Sequence, residues 1–137
     1  MNIVLLNGRP EDLHPDNRFS GLTLGDNDWG ELFVDALGVP VESQDVERGE
    51  PYFVAAERIQ KKFLETLTNL GFPLLGRFHD IYGDARYTPE EVQGLLDECE
   101  TIKARFPPAK VPSAINKLLY ACYEASKHGL GIELSGD

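Results

Sequence analysis

Residues 113–135 read SAINKLLYACYEASKHGLGIELS, and this stretch decides the fold. Over residues 113–128 the apolar side chains recur at intervals of three and four, which places them on one face of an α-helix. Ser113 can cap the first turn with its hydroxyl, and Gly129 supplies the left-handed residue that commonly ends a helix. Residues 130–134 then alternate apolar with small or polar side chains, which predicts a half-buried strand. A helix that leads directly into a strand needs other elements to cover both.

Three further stretches carry a helical period. Two of them begin with the reciprocal capping pattern, Asp28 with Glu31 and Thr88 with Glu91. Pro51 suits the first turn of the helix between them. The three predicted helices are residues 28–37, 51–70 and 88–106.

Strand signals are weaker than the helical ones. Residues 3–6 form a short apolar run that ends at Asn7-Gly8, which predicts a buried strand. Residues 19–24 suggest a second strand, and the two could form a hairpin with a long acidic connection. With the strand at 130–134, the sequence predicts an α+β fold in which about four helices pack on a short two- or three-stranded sheet. We expect residues 1–137 to form one globular domain.

Composition restricts the class of protein. A chain of 137 residues can bury a core without metals or disulfides. No cofactor is predicted. No apolar run approaches the roughly 18 residues of a membrane span, and residues 3–6 lack the length of a signal peptide's apolar region. Cys99 and Cys122 fall on apolar helical faces and do not form a C-x-x-C motif, which favours two reduced core thiols. We therefore predict a cytoplasmic protein without membrane contact.

Charge is unevenly distributed along the chain. The formal net charge is −10, and the first fifty residues hold eleven acidic residues against three arginines, a net −8. Such a field repels phosphate backbones, so direct nucleic-acid binding is disfavoured. It would attract a basic protein, although an acidic surface can also serve solubility alone.

The first functional hypothesis is an acidic protein-binding module that docks on a basic partner. An inhibitor or immunity-type protein that masks a cationic surface is one such class. Charge complementarity of this kind raises the association rate and predicts binding that weakens as salt rises. The candidate partner-binding residues are Asp35, Glu42, Asp45 and Glu47.

The alternative is a small enzyme or a binder of anionic ligands, with its site in residues 77–87. His79 would act as acid or base, and because adjacent side chains diverge it needs Asp84 or a remote group, not Asp80, as its orienting partner. The other candidates are Tyr87 for catalysis and the two arginines, Arg77 and Arg86, for an anionic substrate. The simpler interpretation is a connecting segment whose charged side chains pair at its surface.

Several common chemistries lack their motifs. The sequence contains no phosphate-binding loop of the G-x-x-x-x-G-K-[ST] or G-x-G-x-x-G type and no G-x-S-x-G elbow. Residues 12–16 offer three metal-ligand atoms but no histidine or cysteine companions at ligand spacing, so no metal site is predicted. A subunit that mainly self-associates is a third possibility, and the oligomeric state stays open. Taken together, the sequence favours a binding module over an enzyme.

Overall fold

The sheet has three antiparallel strands with the last one in the middle. The computed structural model describes residues 2–6, 23–39, 48–78 and 85–135. Within these residues the strands are β1 (Asn2–Leu6), β2 (Ala85–Tyr87) and β3 (Gly131–Ser135), in the order β1-β3-β2. In the register, Ile132 of β3 lies between Leu5 and Tyr87. Four helices pack on this sheet within the same residues, which confirms the predicted α+β fold.

Helix α4 (Ser113–His128) lies at the centre of the packing, as its sequence predicts. Its apolar face is fully buried against helix α3 (Pro89–Lys103) and the sheet. Gly129 ends α4 with a left-handed backbone (φ 68°) and is followed directly by β3. The predicted cap at Ser113 is wrong, because Pro112 occupies the cap position and Ser113 is the first helical residue.

Helix α3 begins as predicted and ends earlier. The Thr88 hydroxyl accepts from the Glu91 N–H at 3.3 Å, and the Glu91 carboxylate accepts from the Thr88 N–H at 3.0 Å. This reciprocal cap satisfies two N–H groups that have no partner within the helix. The helix ends at Lys103, and Phe106 packs on the core from beyond the helix.

Helix α1 (Asp26–Trp29) continues as a π-helix over Gly30–Ala36, and its predicted cap is displaced. Asp28 sits three residues after Gly25 and accepts its N–H at 2.9 Å, so the cap forms one turn earlier than the Asp28–Glu31 pattern predicts. Glu31 is therefore available for another partner. Trp29 and Phe33 pack against Phe63 of helix α2 (Tyr52–Asn69), with ring centroids 5.8 and 5.0 Å away.

The apolar residues of α2 at helical spacing predict its buried face, and this prediction is only partly correct; they are Ala56, Ile59, Phe63, Leu67 and Leu70. Phe63 and Leu67 are buried, but Ala55 and not Ala56 is the first buried residue. Pro51 is the cap residue directly before the helix, one position before its predicted place. The predicted strand at 19–24 lies largely outside the described residues, so it stays a prediction; of its last two residues, Thr23 forms a β-bridge. The third strand of the described sheet is β2, which lies in the stretch predicted as a connecting segment.

Candidate functional site

Arg77, a candidate anion-binding residue, is held by three neighbouring groups. Its guanidinium pairs with the Glu91 carboxylate and donates to the Arg86 carbonyl oxygen at 2.8 Å. It also lies over the ring of Tyr87, 5.3 Å from the ring centroid. The hydrogen bond from Arg77 lowers the pKa of Glu91 to about 2, so this pair stays charged at neutral pH.

Arg86, the second candidate, points from β2 toward the neighbouring strand. Its Nε donates to the Glu133 carboxylate of β3 at 2.9 Å, across the register that places the two residues opposite each other. Cross-strand pairs of opposite charge stabilise a sheet by a fraction of a kcal/mol. Each arginine of the predicted anion site thus already has a carboxylate partner on a neighbouring element, Glu91 for Arg77 and Glu133 for Arg86.

Tyr87 is part of the structural core. Its ring is buried, and its hydroxyl donates to the Leu74 carbonyl oxygen at 2.8 Å. Burial raises the pKa of Tyr87 well above its ordinary value. A buried neutral phenol with a backbone partner is suited to fixing the chain and poorly suited to proton transfer at neutral pH.

Glu98 of α3 completes the attachment of residues 72–78. One carboxylate oxygen accepts from the Leu74 N–H and the other from the Leu75 N–H, both at 3.0 Å. Burial raises the pKa of Glu98, and these two hydrogen bonds oppose that rise. Glu98, Tyr87 and the Arg77–Glu91 pair thus hold this segment against α3 and β2. The remaining catalytic candidates, His79 and Asp84, lie outside the described residues, so their roles stay predictions.

The candidate acidic residues fall in and around the connection from the π-helix to α2. Asp35 is exposed in the last turn of the π-helix. Glu42, Asp45 and Glu47 lie outside the described residues. The described chain resumes at Arg48, four residues before α2 begins.

The first turn of α2 carries the two most exposed large apolar side chains among the described residues, Tyr52 and Phe53, followed by Val54. Tyr52 is 82% exposed, Phe53 71% and Val54 40%. We call these three residues the apolar turn. The helical spacing of apolar residues in α2 does not mark these three, because it begins further along the helix, at Ala56. The available signal was three apolar residues in a row, which no single helical face can bury.

A bidentate ion pair sets the position of the apolar turn. Arg58 donates from Nε and Nη2 to the two carboxylate oxygens of Glu50, each at 3.0 Å. This pair bridges the residue before Pro51 and the second turn of α2. It fixes how the chain enters the helix. The apolar turn lies directly before Ala55, the first buried residue of α2. Geometry of this planar kind is specific to arginine.

The described part of the chain shows no reactive thiol pair, metal-ligand set or membrane-spanning helix. Cys99 and Cys122 are buried and do not form a disulfide, and burial raises the pKa of Cys122 to about 12. Among the described residues, no three histidine, cysteine or carboxylate side chains converge as a metal-ligand set. None of the helices described is both long enough and apolar enough to cross a bilayer. Comparison with family models, curated proteins and solved structures finds no match for this chain.

Proposed function

We propose that this chain is an acidic protein-binding module that docks on a basic protein partner, as an inhibitor or immunity-type protein does. The observation that carries the proposal is the apolar turn, because it lies directly after the most acidic part of the sequence. Interface centres are enriched in aromatic side chains, and their rims carry the charge. An exposed aromatic pair beside concentrated charge matches that anatomy.

The charge explains which partner is favoured. A net −8 in the first fifty residues attracts a basic surface and raises the rate of encounter. Asp35 is exposed and can contribute to this field, and the proposal includes Glu42, Asp45 and Glu47. The proposal includes a cytoplasmic location, with which two buried cysteines that are not joined to each other are compatible.

The ion pairs of the two arginines favour a protein-binding module over the alternative, a site for an anionic ligand at residues 77–87. Arg77 pairs with Glu91 and Arg86 pairs with Glu133. An anionic ligand at this place would have to compete with both carboxylates. Tyr87 is buried and bonded to the backbone, so it does not present a reactive hydroxyl.

The proposal is tested by a pull-down from a lysate of the source cells, with elution by a salt gradient. The matched control is the triple variant Glu42→Gln, Asp45→Asn, Glu47→Gln, which keeps the side-chain shapes and removes three charges. We expect one basic protein to bind the wild type at low salt and to elute from the variant at lower salt, because screening weakens charge pairs. Binding that is indifferent to salt and to the variant would refute the proposal.

A further inference from the structure

The connection between α3 and α4 carries three exposed basic side chains. Lys103 is the last residue of α3, Arg105 lies in the turn that follows, and Lys110 ends a short 3₁₀ helix. We propose that these three residues, the basic turn, form a second docking surface whose occupant is an acidic segment of another protein. This inference does not rest on the proposed function, which concerns a basic partner and other residues of the chain.

The basic turn lies in the longest stretch of the sequence without an acidic residue. Residues 101–123 contain no aspartate or glutamate, although the chain has 23 acidic residues. The acids that border this stretch have neighbours within the fold, since Glu100 accepts from the Tyr123 hydroxyl and Glu124 lies beside His128. An otherwise acidic chain therefore presents a locally positive surface at this connection.

The acids that approach this stretch from elsewhere in the chain bind at the start of α4. Asp28 accepts from Lys117 at 3.0 Å, and Glu31 accepts from the Ser113 N–H at 2.6 Å. Among the described residues, no carboxylate pairs with a member of the basic turn, whereas four other bases do have such a partner: Arg58, Arg77, Arg86 and Lys117. The charges of the basic turn are not neutralised by these ion pairs.

Packing and proline hold the basic turn in shape. The Arg105 guanidinium lies over the Phe72 ring, 5.1 Å from its centroid, and a stacked guanidinium can still offer its N–H edge to a carboxylate. Pro107 and Pro108 restrict the backbone between Arg105 and Lys110, and the Lys110 N–H donates to the Pro107 carbonyl oxygen at 2.8 Å. Little chain ordering is therefore needed on binding.

The number and spacing of the charges favour a short acidic protein segment as the occupant. The Cα atoms of Lys103 and Lys110 are at most about 25 Å apart, so an extended segment of about eight residues spans the basic turn. Tight DNA binding uses roughly 6–10 phosphate contacts, and lipid recognition uses clusters of about 4–8 bases. The basic turn supplies fewer charges than either of these ligands requires.

The test uses three dye-labelled probes. The first is an extended peptide of about eight residues with glutamate at alternate positions, and the second has glutamine in place of glutamate. The third is a single-stranded DNA with as many negative charges as the first peptide. Fluorescence anisotropy measures their affinities at about 0.15 M salt, where charges more than about 8 Å apart are largely screened.

Two triple variants with the same net charge separate local from long-range effects. The turn variant neutralises the proposed surface and is Lys103→Gln, Arg105→Gln, Lys110→Gln. The control variant removes three exposed charges elsewhere and is Lys61→Gln, Lys62→Gln, Lys127→Gln. Because both variants lose three positive charges, a difference between them reports where on the surface the peptide binds.

We expect the wild type to bind the glutamate peptide at least about tenfold more tightly than the glutamine peptide, through several modest charge pairs. The turn variant should lose about tenfold in affinity for the glutamate peptide, and the control variant less than about threefold. Equal losses in the two variants would show that net charge alone acts, and would overturn the proposal. A wild type without preference for the glutamate peptide would also overturn it.

A second variant keeps the test valid if the change at Arg105 disturbs folding. Lys103→Gln, Lys110→Gln leaves the contact between Arg105 and Phe72 in place. It should still bind the glutamate peptide more weakly than Lys61→Gln, Lys62→Gln, which has the same net charge. Equal affinities of these two double variants would overturn the proposal as well.

Two further outcomes would identify a different occupant and overturn the proposal. The first is DNA that binds more tightly than the glutamate peptide. The second is a self-associated species in sedimentation that the turn variant dissociates, in place of the expected 15.3 kDa monomer. Neither outcome bears on the proposed function, because its pull-down measures a basic partner and a different set of charges.

Discussion

Glu31 and Ser113 are 82 residues apart in the chain, and a hydrogen bond of 2.6 Å joins them. The Glu31 carboxylate accepts from the Ser113 N–H and so supplies the helix cap that α4 lacks from its own preceding residue. A negative group at a helix N-terminus also interacts favourably with the helix dipole. Beside it, Lys117 donates to Asp28 at 3.0 Å and to the Thr23 carbonyl at 2.9 Å. The short helical segment before α2 thus closes over the start of the central helix.

Replacing Glu31 by alanine should destabilise the fold by about 1 kcal/mol, the usual cost of a lost helix cap. The matched control is Asp35→Ala, an exposed acid of the same segment, which should change stability by less than about 0.5 kcal/mol. Urea unfolding followed by fluorescence of Trp29, the single tryptophan, measures both. Equal stabilities would show that the contact contributes nothing.

Gly131→Ala should destabilise the protein by about 2 kcal/mol, within the range for overpacking. A Cβ at Gly131 would lie 2.6 Å from the Tyr87 carbonyl oxygen, because β3 passes close to the end of β2. Gly30→Ala is the control, since a Cβ there meets no atom within 4 Å. Thermal unfolding followed by circular dichroism compares the two variants. A Gly131 variant as stable as wild type would mean that the strands do not approach this closely.

Stability should depend on the charge of Glu91 in acid. Its pKa is lowered from 4.5 to about 2 in the folded state, so the ionised group stabilises the fold above about pH 4.5. This stabilisation is lost as the pH falls from 4.5 toward 2. The stability difference between wild type and Glu91→Gln should therefore shrink over that range, while Glu90→Gln, at an exposed neighbour, serves as control. A difference that does not vary with pH would contradict the Arg77–Glu91 pairing.

The two thiols should be unreactive in the folded protein. Burial raises the pKa of Cys99 and Cys122, and both side chains are enclosed between α3 and α4. Because the thiolate is the reactive form, a disulfide reagent at mildly alkaline pH should modify neither residue until denaturant is added. Rapid labelling of two thiols in the native state would place at least one of them at the surface.

Local signals account for the part of the fold that could be predicted. The Thr88–Glu91 cap and Gly129 act within a few residues of chain, and both were predicted correctly. Strand β2 was missed because its three residues owe their conformation to pairing with β3, more than forty positions away. The displaced cap at Asp28 was missed because Gly25 has no side chain to mark it as a cap residue.

In the candidate site, too, the features that depend on distant parts of the chain could not be predicted. The sequence indicated that Arg77 and Arg86 would find partners, but those partners lie on α3 and β3, which only the tertiary fold brings close. The exposure of Tyr52 and Phe53 depends on where α2 begins relative to its packing partner. The helical period of the sequence does not specify that position.

The central claim is that the chain binds a basic partner by charge and holds it by the apolar turn. The most direct measurement is the affinity of a helical peptide with lysine on one face and leucine on the other as salt rises, because the screening length falls from about 30 Å at 0.01 M to about 3 Å at 1 M. We predict an affinity that falls steeply with salt, and a lower affinity of the Tyr52→Ser, Phe53→Ser variant at every concentration. An affinity that is independent of salt, or equal in the two proteins, would contradict the account.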